Sequence, residues 1–332
     1  MGTRVSVAET IVELSRRIAK LKARHAHVSS TLLAVVLVSS AVLSPEAHAN
    51  PRREWLGARP VERPMVLPRG WSEAAVGWNH HRADGGFDAS GRRDEWTRPM
   101  LMDALTTSLR VGLVSRVEVF ASLKTVRLTA DDQSLLGIGA ATLGARTELW
   151  ASALPMSSLT AEMAYQLPIG TRMPSATQSG APVGSDLAVG TGASEFLPAV
   201  RFRRQFGALR LQTGLFADVS LPTGPRASDG RSDWADGVGM DGGALLQVGP
   251  VAISTRVSAM RRGDDRLDGV RVPSAGWHVS MRGGAIVSVN RSVDIALEWQ
   301  QTFLGRPTRF SGAPDLSPTH GPGQHLCATF RW

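Results

Sequence analysis

Three groupings in the sequence carry residue types that could do chemistry. His278 and Ser280, in "GWHVSMRGG", stand two positions apart. On a strand that spacing puts both on one face, where a histidine can act as base to a serine nucleophile. His80 and His81, with Asp84 and Asp88 in "NHHRADGGFDASG", offer nitrogen and oxygen ligands for a divalent metal. Cys327 is the only cysteine, which excludes an internal disulfide and a cysteine-based zinc site. Each grouping is incomplete by its own chemistry. A nucleophile–base pair needs a third group to orient the base, and the nearby Asn290 falls in a turn. Adjacent histidines on a strand point to opposite faces, so they do not converge on one ion. The sequence assigns no catalytic residue, no metal site and no cofactor.

The elements that would position these groups follow from periodicity. In "LRLQTGLFADVSL" one face reads Leu209, Leu211, Thr213, Leu215, Ala217, Val219 and Leu221. The other reads Arg210, Gln212, Gly214, Phe216, Asp218 and Ser220. This is a period of two over a span longer than the roughly 5–6 residues of an ordinary soluble strand. A tilted strand crossing a bilayer takes about 9–11 residues. The same alternation recurs in "VAISTRVSAM", "SVDIALEWQQTF", "LTAEMAYQL" and "GWHVSMRGGAIVSV". In the last, Trp277, Val279 and Met281 form the apolar face, so His278 and Ser280 turn away from lipid.

Turns divide the chain into hairpins. Tight connections read 113–115, 152–156, 206–208, 249–250 and 290–291. Polar links rich in Gly, Pro, Asp and Arg fall at about 80–100, 129–134, 168–185, 222–237, 262–274 and 305–322. Short and long connections alternate between twelve expected strands: about 71–80, 101–112, 116–128, 135–149, 157–167, 186–205, 209–221, 238–248, 251–261, 275–289, 292–304 and 323–332. A sheet in lipid must close so that no edge amide is left unpaired. Bacterial outer-membrane barrels have even strand numbers, short periplasmic turns and longer outer loops. The expected fold is therefore all-β, a transmembrane antiparallel up-and-down barrel of about twelve strands over residues 71–332.

The N-terminal portion stands apart. "RRIAKLKARHAH" is basic, "TLLAVVLVSSAVLS" is an apolar run of signal-peptide length, and Ala47-His48-Ala49 offers a cleavage site. Residues 1–49 read as a signal peptide for export to the bacterial outer membrane. They carry six bases and three acids, so removing them lowers the net charge from +8 to +5, which makes no case for nucleic acid as a partner. At 42% hydrophobic and 20% charged, the chain is too apolar for a disordered one. Residues 50–70, "NPRREWLGARPVERPMVLPRG", are rich in Arg and Pro and have no period. They read as a periplasmic extension that either folds back into the barrel or stays disordered.

The barrel assigns the polar faces to its lumen. The lining comprises Arg110, Glu118, Arg146, Glu148, Glu162, Arg201, Arg203, Arg210, Asp218, Arg256, Arg282, Asp294 and Glu298, together with Glu73, Asp241 and Arg331. Isolated buried charges are costly, so these must pair or stay wet. Two readings stay open: a structural ion-pair lining, or a polar path for a small solute. Phe120, Phe216 and Leu245 interrupt this face as packing residues or as an apolar patch. At the C-terminus, "HLCATFRW" reads as the closing strand, with Phe330 and Trp332 on the lipid side at the periplasmic interface. Such a terminal aromatic pair resembles the signal read by the barrel-assembly machinery. Expected partners are outer-membrane lipid, lipopolysaccharide, that machinery and small solutes.

Several short stretches resemble a known family. "RPMVLPRGWSEAAVGW", "LRVGLVSRVEV", "YQLPIGT" and "ADVSLPTGPRASDG" are similar to an outer-membrane transporter family labelled "MetA-pathway of phenol degradation". The resemblance implies a barrel pore or transporter for small hydrophobic or aromatic solutes, with no catalytic residues. Other readings are a structural or adhesive barrel acting through its outer loops, and a lipid hydrolase. The His278-x-Ser280 pair resembles an element of outer-membrane phospholipase A, but lacks the Asn-Gly that follows the serine there.

Overall fold

The computed structural model describes residues 59–88, 92–130, 133–152, 156–167, 194–221, 235–267, 275–305 and 321–332, with short pieces at 169, 171–172, 188–189, 232–233 and 270–272. The signal-peptide expectation for residues 1–49 lies outside these residues.

Twelve antiparallel strands form a closed barrel. They are β1 (Ser72–Phe87), β2 (Arg93–Val114), β3 (Val117–Ala130), β4 (Gln133–Ser152), β5 (Ser157–Gln166), β6 (Ser194–Phe206), β7 (Leu209–Leu221), β8 (Gly237–Val248), β9 (Val251–Arg262), β10 (Gly276–Ser288), β11 (Val293–Leu304) and β12 (Pro322–Arg331). Every strand pairs with its neighbours in sequence, and β12 returns to β1 in the register Glu73↔Arg331 through His81↔Gly323. The terminal residue takes part: Ser72 N donates to Trp332 O at 3.0 Å, and Trp332 N donates to Ser72 O at 3.1 Å.

The outer surface is apolar because the period-two pattern puts it there. Val76, Trp78, Leu105, Leu109, Leu123, Leu143, Leu211, Leu215, Ile253, Val257, Ile295, Leu297, Leu326 and Phe330 are all exposed, though large and hydrophobic. A water-facing surface would not gather so many into one belt. Where the pattern slips, a bulge explains it. Between Glu148 and Trp150 the register shifts by one residue, so Leu149 and Trp150 are both exposed. Two tight turns, at Gly207 (φ 56°) and Gly249 (φ 59°), use a backbone conformation that glycine takes at no steric cost.

Three expectations about boundaries are corrected. The link expected at 80–100 is mostly strand, since β1 runs to Phe87 and β2 begins at Arg93. Gly85 pairs with Glu95 after a bulge, because backbone pairing continues where side chains no longer need to be apolar. The link expected at 129–134 is short, with β3 ending at Ala130 and β4 starting at Gln133. Not all six links are long, although among the described residues the connections at 113–115, 206–208, 249–250 and 290–291 are short. The strand expected at 186–205 begins at Ser194; within the preceding link, Ala188–Val189 pairs instead with Thr171–Arg172. Val219 is buried rather than lipid-facing.

The inward face is not uniformly polar. Met102, Ala104, Val126, Leu128 and Leu135 form a buried apolar cluster on β2–β4. At the short-turn end, Val61 of the N-terminal extension packs with Leu245 and Ala252, both inward residues of β8 and β9.

Candidate functional site: a charged lumen crossed by the N-terminal segment

The inward charges join into one chain of ion pairs around most of the barrel. Beginning on β11, Asp294 binds Arg331 at 2.7 Å, and Arg331 binds Glu73 at 2.8 Å. Glu73 binds Arg110 at 2.8 Å, Arg110 binds Glu118 at 2.8 Å, and Glu118 binds Arg146 at 2.9 Å. Arg146 and Arg201 share Glu162, each at 2.6 Å. Arg201 then reaches Asp241 at 3.8 Å, and Arg256 binds the same carboxylate at 2.7 Å. The signs alternate at every step, which is how closely spaced charges tolerate removal from water.

The register explains the span. Glu118 faces Arg146, and Arg146 faces Glu162, on directly paired positions. Arg201 and Asp241 flank Gly214 on the intervening strand β7. A Cβ on Gly214 would stand 2.9 Å from Arg201 Cγ and 3.2 Å from Asp241 Oδ1, so glycine leaves the gap through which the two charges meet.

Residues 59–71 close over this chain. Pro60 opens a single 3-10 turn, Pro60–Glu62, with Arg59 and Glu62 bonded across it. Proline suits a first helical position because its fixed φ is already helical. The Arg59 side chain holds the Glu62 carboxyl below the usual carboxylate range. From Pro60 to Leu67 the lumen side chains satisfy backbone polar groups of the segment. Arg210 Nη1 donates to Pro60 O at 3.0 Å. Arg203 donates to Arg63 O. Arg110 Nη2 and Arg146 Nη1 both donate to Met65 O, each at 3.0 Å. Leu67 N donates to Glu118 Oε2 at 2.7 Å. The Arg63 side chain pairs with Asp294. Gly70 N donates to Gly112 O, and Gly112 N to Trp71 O, both at 2.9 Å. A Cβ on Gly112 would stand 2.6 Å from Leu67 O, so this approach also requires glycine.

The remaining expected lining residues divide. Asp218 pairs with Arg262. Glu148 sits near Arg116 and Arg203. Glu298 accepts a 3.4 Å hydrogen bond from Ser254 Oγ. Arg282 lies across from Arg256. Arg210, Arg256, Arg282, Asp241 and Glu298 line one cavity of about 180 Å³, with Leu245 and Ile286 as its apolar wall. Phe120 and Phe216 are packing residues: Cβ atoms on the cross-strand Gly144 and Gly239 would each lie 2.7 Å from a ring carbon. The Arg146 guanidinium sits 5.7 Å over the Phe120 ring.

The first groupings of the sequence do not assemble into a site. His80 Nδ1 lies 2.9 Å from Asp103 Oδ1, while Asp84 bonds Arg82 and Asp88 accepts from Arg92 N. Among the described residues, no three histidine, cysteine or acidic side chains gather around a common point. His278 and Ser280 face Met260 and Ser258 of β9. Missed by sequence reasoning were the carbonyls of Pro60, Arg63 and Met65 and the Arg63 side chain. Backbone acceptors leave no mark in a sequence; the one hint was a Pro- and Arg-rich segment too apolar, at "PMVL", for a plain linker.

Fold and lining together define a transmembrane up-and-down barrel with an ion-paired lumen. Neither a protein-family model nor a curated protein matches the chain in sequence. Solved structures do match. An outer membrane channel from Pseudomonas putida F1 superposes with a TM-score of 0.65 at 14% identity, covering 81% of this chain and 99% of that one. The translocator domain of the autotransporter NalP from Neisseria meningitidis gives 0.45 at 10% identity, over 80% of this chain and 90% of that one. The NanC porin gives 0.46 at 8% identity, over 77% and 98%. The likeness to the channel is one of fold.

Proposed function

We propose that this protein is a channel of the bacterial outer membrane, exported by residues 1–49 and inserted with its short-turn end toward the periplasm. The observation that carries the reading is the cavity of about 180 Å³ bounded by Arg210, Arg256, Arg282, Asp241 and Glu298. Barrels of eight strands fill with side chains, and those of sixteen leave an aqueous channel. Twelve strands lie between, and here the inward charges pair from strand to strand around most of the barrel. The channel-like fold match supports the same reading. The cargo is a small solute. The resemblance to the phenol-degradation-labelled family favours hydrophobic or aromatic ones. Its surroundings are lipid and lipopolysaccharide, and Phe330 with Trp332 serves the assembly machinery. No step of the reading calls for catalysis or a cofactor.

A second reading, a structural barrel acting through its loops, is favoured by the segment 59–71 lying in the lumen. One measurement separates them. The purified protein in a planar bilayer should give discrete current steps; a folded barrel that inserts and passes no current would replace the channel with the structural reading.

A further inference from the structure

The alternation of charge fails along one arc of the lumen. On β9 and β10, Arg256 and Arg282 stand directly opposite each other in the register, like charge against like. Arg256 has Asp241 at 2.7 Å, but Asp241 is shared with Arg201. The carboxylate that acts electrostatically on Arg282 is Glu298. Among the described residues, no carboxylate lies within ion-pair distance of Arg282 or of Arg210. Arg210 spends one N–H on the carbonyl of Pro60. Three guanidinium groups thus border the cavity against two carboxylates, one of which is already doubly engaged. Like-charged side chains directly opposite on a sheet are destabilising unless something between them carries the opposite sign. Arg256 and Arg282 are both exposed to the lumen, so water and ions reach them. Ile286 gives the cavity an apolar side, and Leu245 beside it is buried against Val61.

We propose that this cavity is a binding subsite for a small monocarboxylate with a hydrocarbon body. The carboxylate lies between Arg256 and Arg282, whose planar N–H forks match its two oxygens. The hydrocarbon lies against Ile286. A neutral solute of the same shape fills the apolar half but leaves the two guanidinium groups facing each other. An inorganic anion answers the charge but leaves the apolar half wet. The preference is therefore for both features in one molecule. This deepens the channel reading, since the subsite lies in the path a solute would take, and it is tested without reference to current.

The measurement is equilibrium dialysis of labelled benzoate against the folded full-length barrel in detergent. Heat-modifiable migration on a gel identifies folded protein. Saturable binding is expected, with benzyl alcohol and chloride as poor competitors. Arg282→Gln, which removes a lumen-exposed charge and relieves the pairing with Arg256, should weaken binding about tenfold, the factor that 1.4 kcal/mol represents. Absence of saturable benzoate binding to the wild-type barrel overturns the proposal. So does competition by benzyl alcohol equal to that by unlabelled benzoate, because the carboxylate is then not being read. Both outcomes come from wild-type protein and do not depend on the variant folding. Current steps in a bilayer without benzoate binding would leave the channel and remove the subsite. Benzoate binding without current would keep the subsite and remove the channel.

Discussion

Glu118 is the test of whether the ion-pair ring holds the lumen together. It is fully buried, and its two oxygens accept from Arg110, Arg146 and the Leu67 amide. Glu118→Gln keeps the shape and removes the charge. The amide retains one acceptor oxygen, which serves at most two of the four N–H groups that now bond the carboxylate. Its NH2 then points at a donor. Removing one partner of a buried ion pair costs about 3–5 kcal/mol. Arg110 keeps Glu73 and Arg146 keeps Glu162, so the lower end, about 3 kcal/mol, is expected. With a urea m-value of about 1–3 kcal/mol/M, the unfolding midpoint of the barrel in detergent should fall by about 1–3 M. Glu298→Gln is the control. That carboxylate makes one 3.4 Å hydrogen bond, and its loss should cost less than about 1 kcal/mol. If Glu118→Gln unfolds within about 0.5 kcal/mol of wild type, or Glu298→Gln is equally costly, the ring is not what fixes the lumen.

The segment 59–71 should be released by Val61→Asp, because Val61 is fully buried against Leu245 and Ala252 and an unpaired carboxylate there is costly by several kcal/mol. A glutamate-specific protease should then cut after Glu62 at least tenfold faster, while the barrel keeps its heat-modifiable migration; unchanged cleavage would count against lumen docking. Cys327, the sole thiol, lies half-buried with Thr329 Oγ1 3.9 Å away on the lumen side of β12. A charged methanethiosulfonate should lower channel current stepwise in wild type and leave Cys327→Ser unaffected; equal responses would place the thiol outside the conducting path. Deleting Trp332 removes two backbone hydrogen bonds to Ser72 at the β12–β1 seam. Outer-membrane recovery should fall several-fold, whereas normal recovery would refute the role given to the terminal aromatic.

The barrel was legible in the sequence because its cause is local. Side chains on a strand alternate strictly, so a closed sheet with a lipid face and a lumen face writes its topology as a period of two. Leu211, Leu215, Leu297 and Phe330 could be assigned outward, and Arg110, Glu118, Arg146 and Asp294 inward, from parity alone. Parity fails at bulges, which is why Leu149 beside Trp150 needs the paired strand to explain it. It also fails beyond the apolar belt, where the β1–β2 hairpin stays paired through Gly85 and Phe87 without any lipid pattern to announce it.

Which charges meet was decided only in three dimensions. Glu73 and Arg331 are neighbours because the barrel closes, and Arg201 reaches Asp241 because register puts Gly214 between them. The like-charged pair Arg256 and Arg282 is likewise a matter of register, invisible in a list of inward residues. The N-terminal segment is the clearest case. Its Pro- and Arg-rich sequence has no period because it forms no strand before Ser72. Its position is fixed by carbonyl oxygens of Pro60, Arg63 and Met65 that every residue possesses, held by arginines 45 or more positions downstream only once the barrel has gathered them.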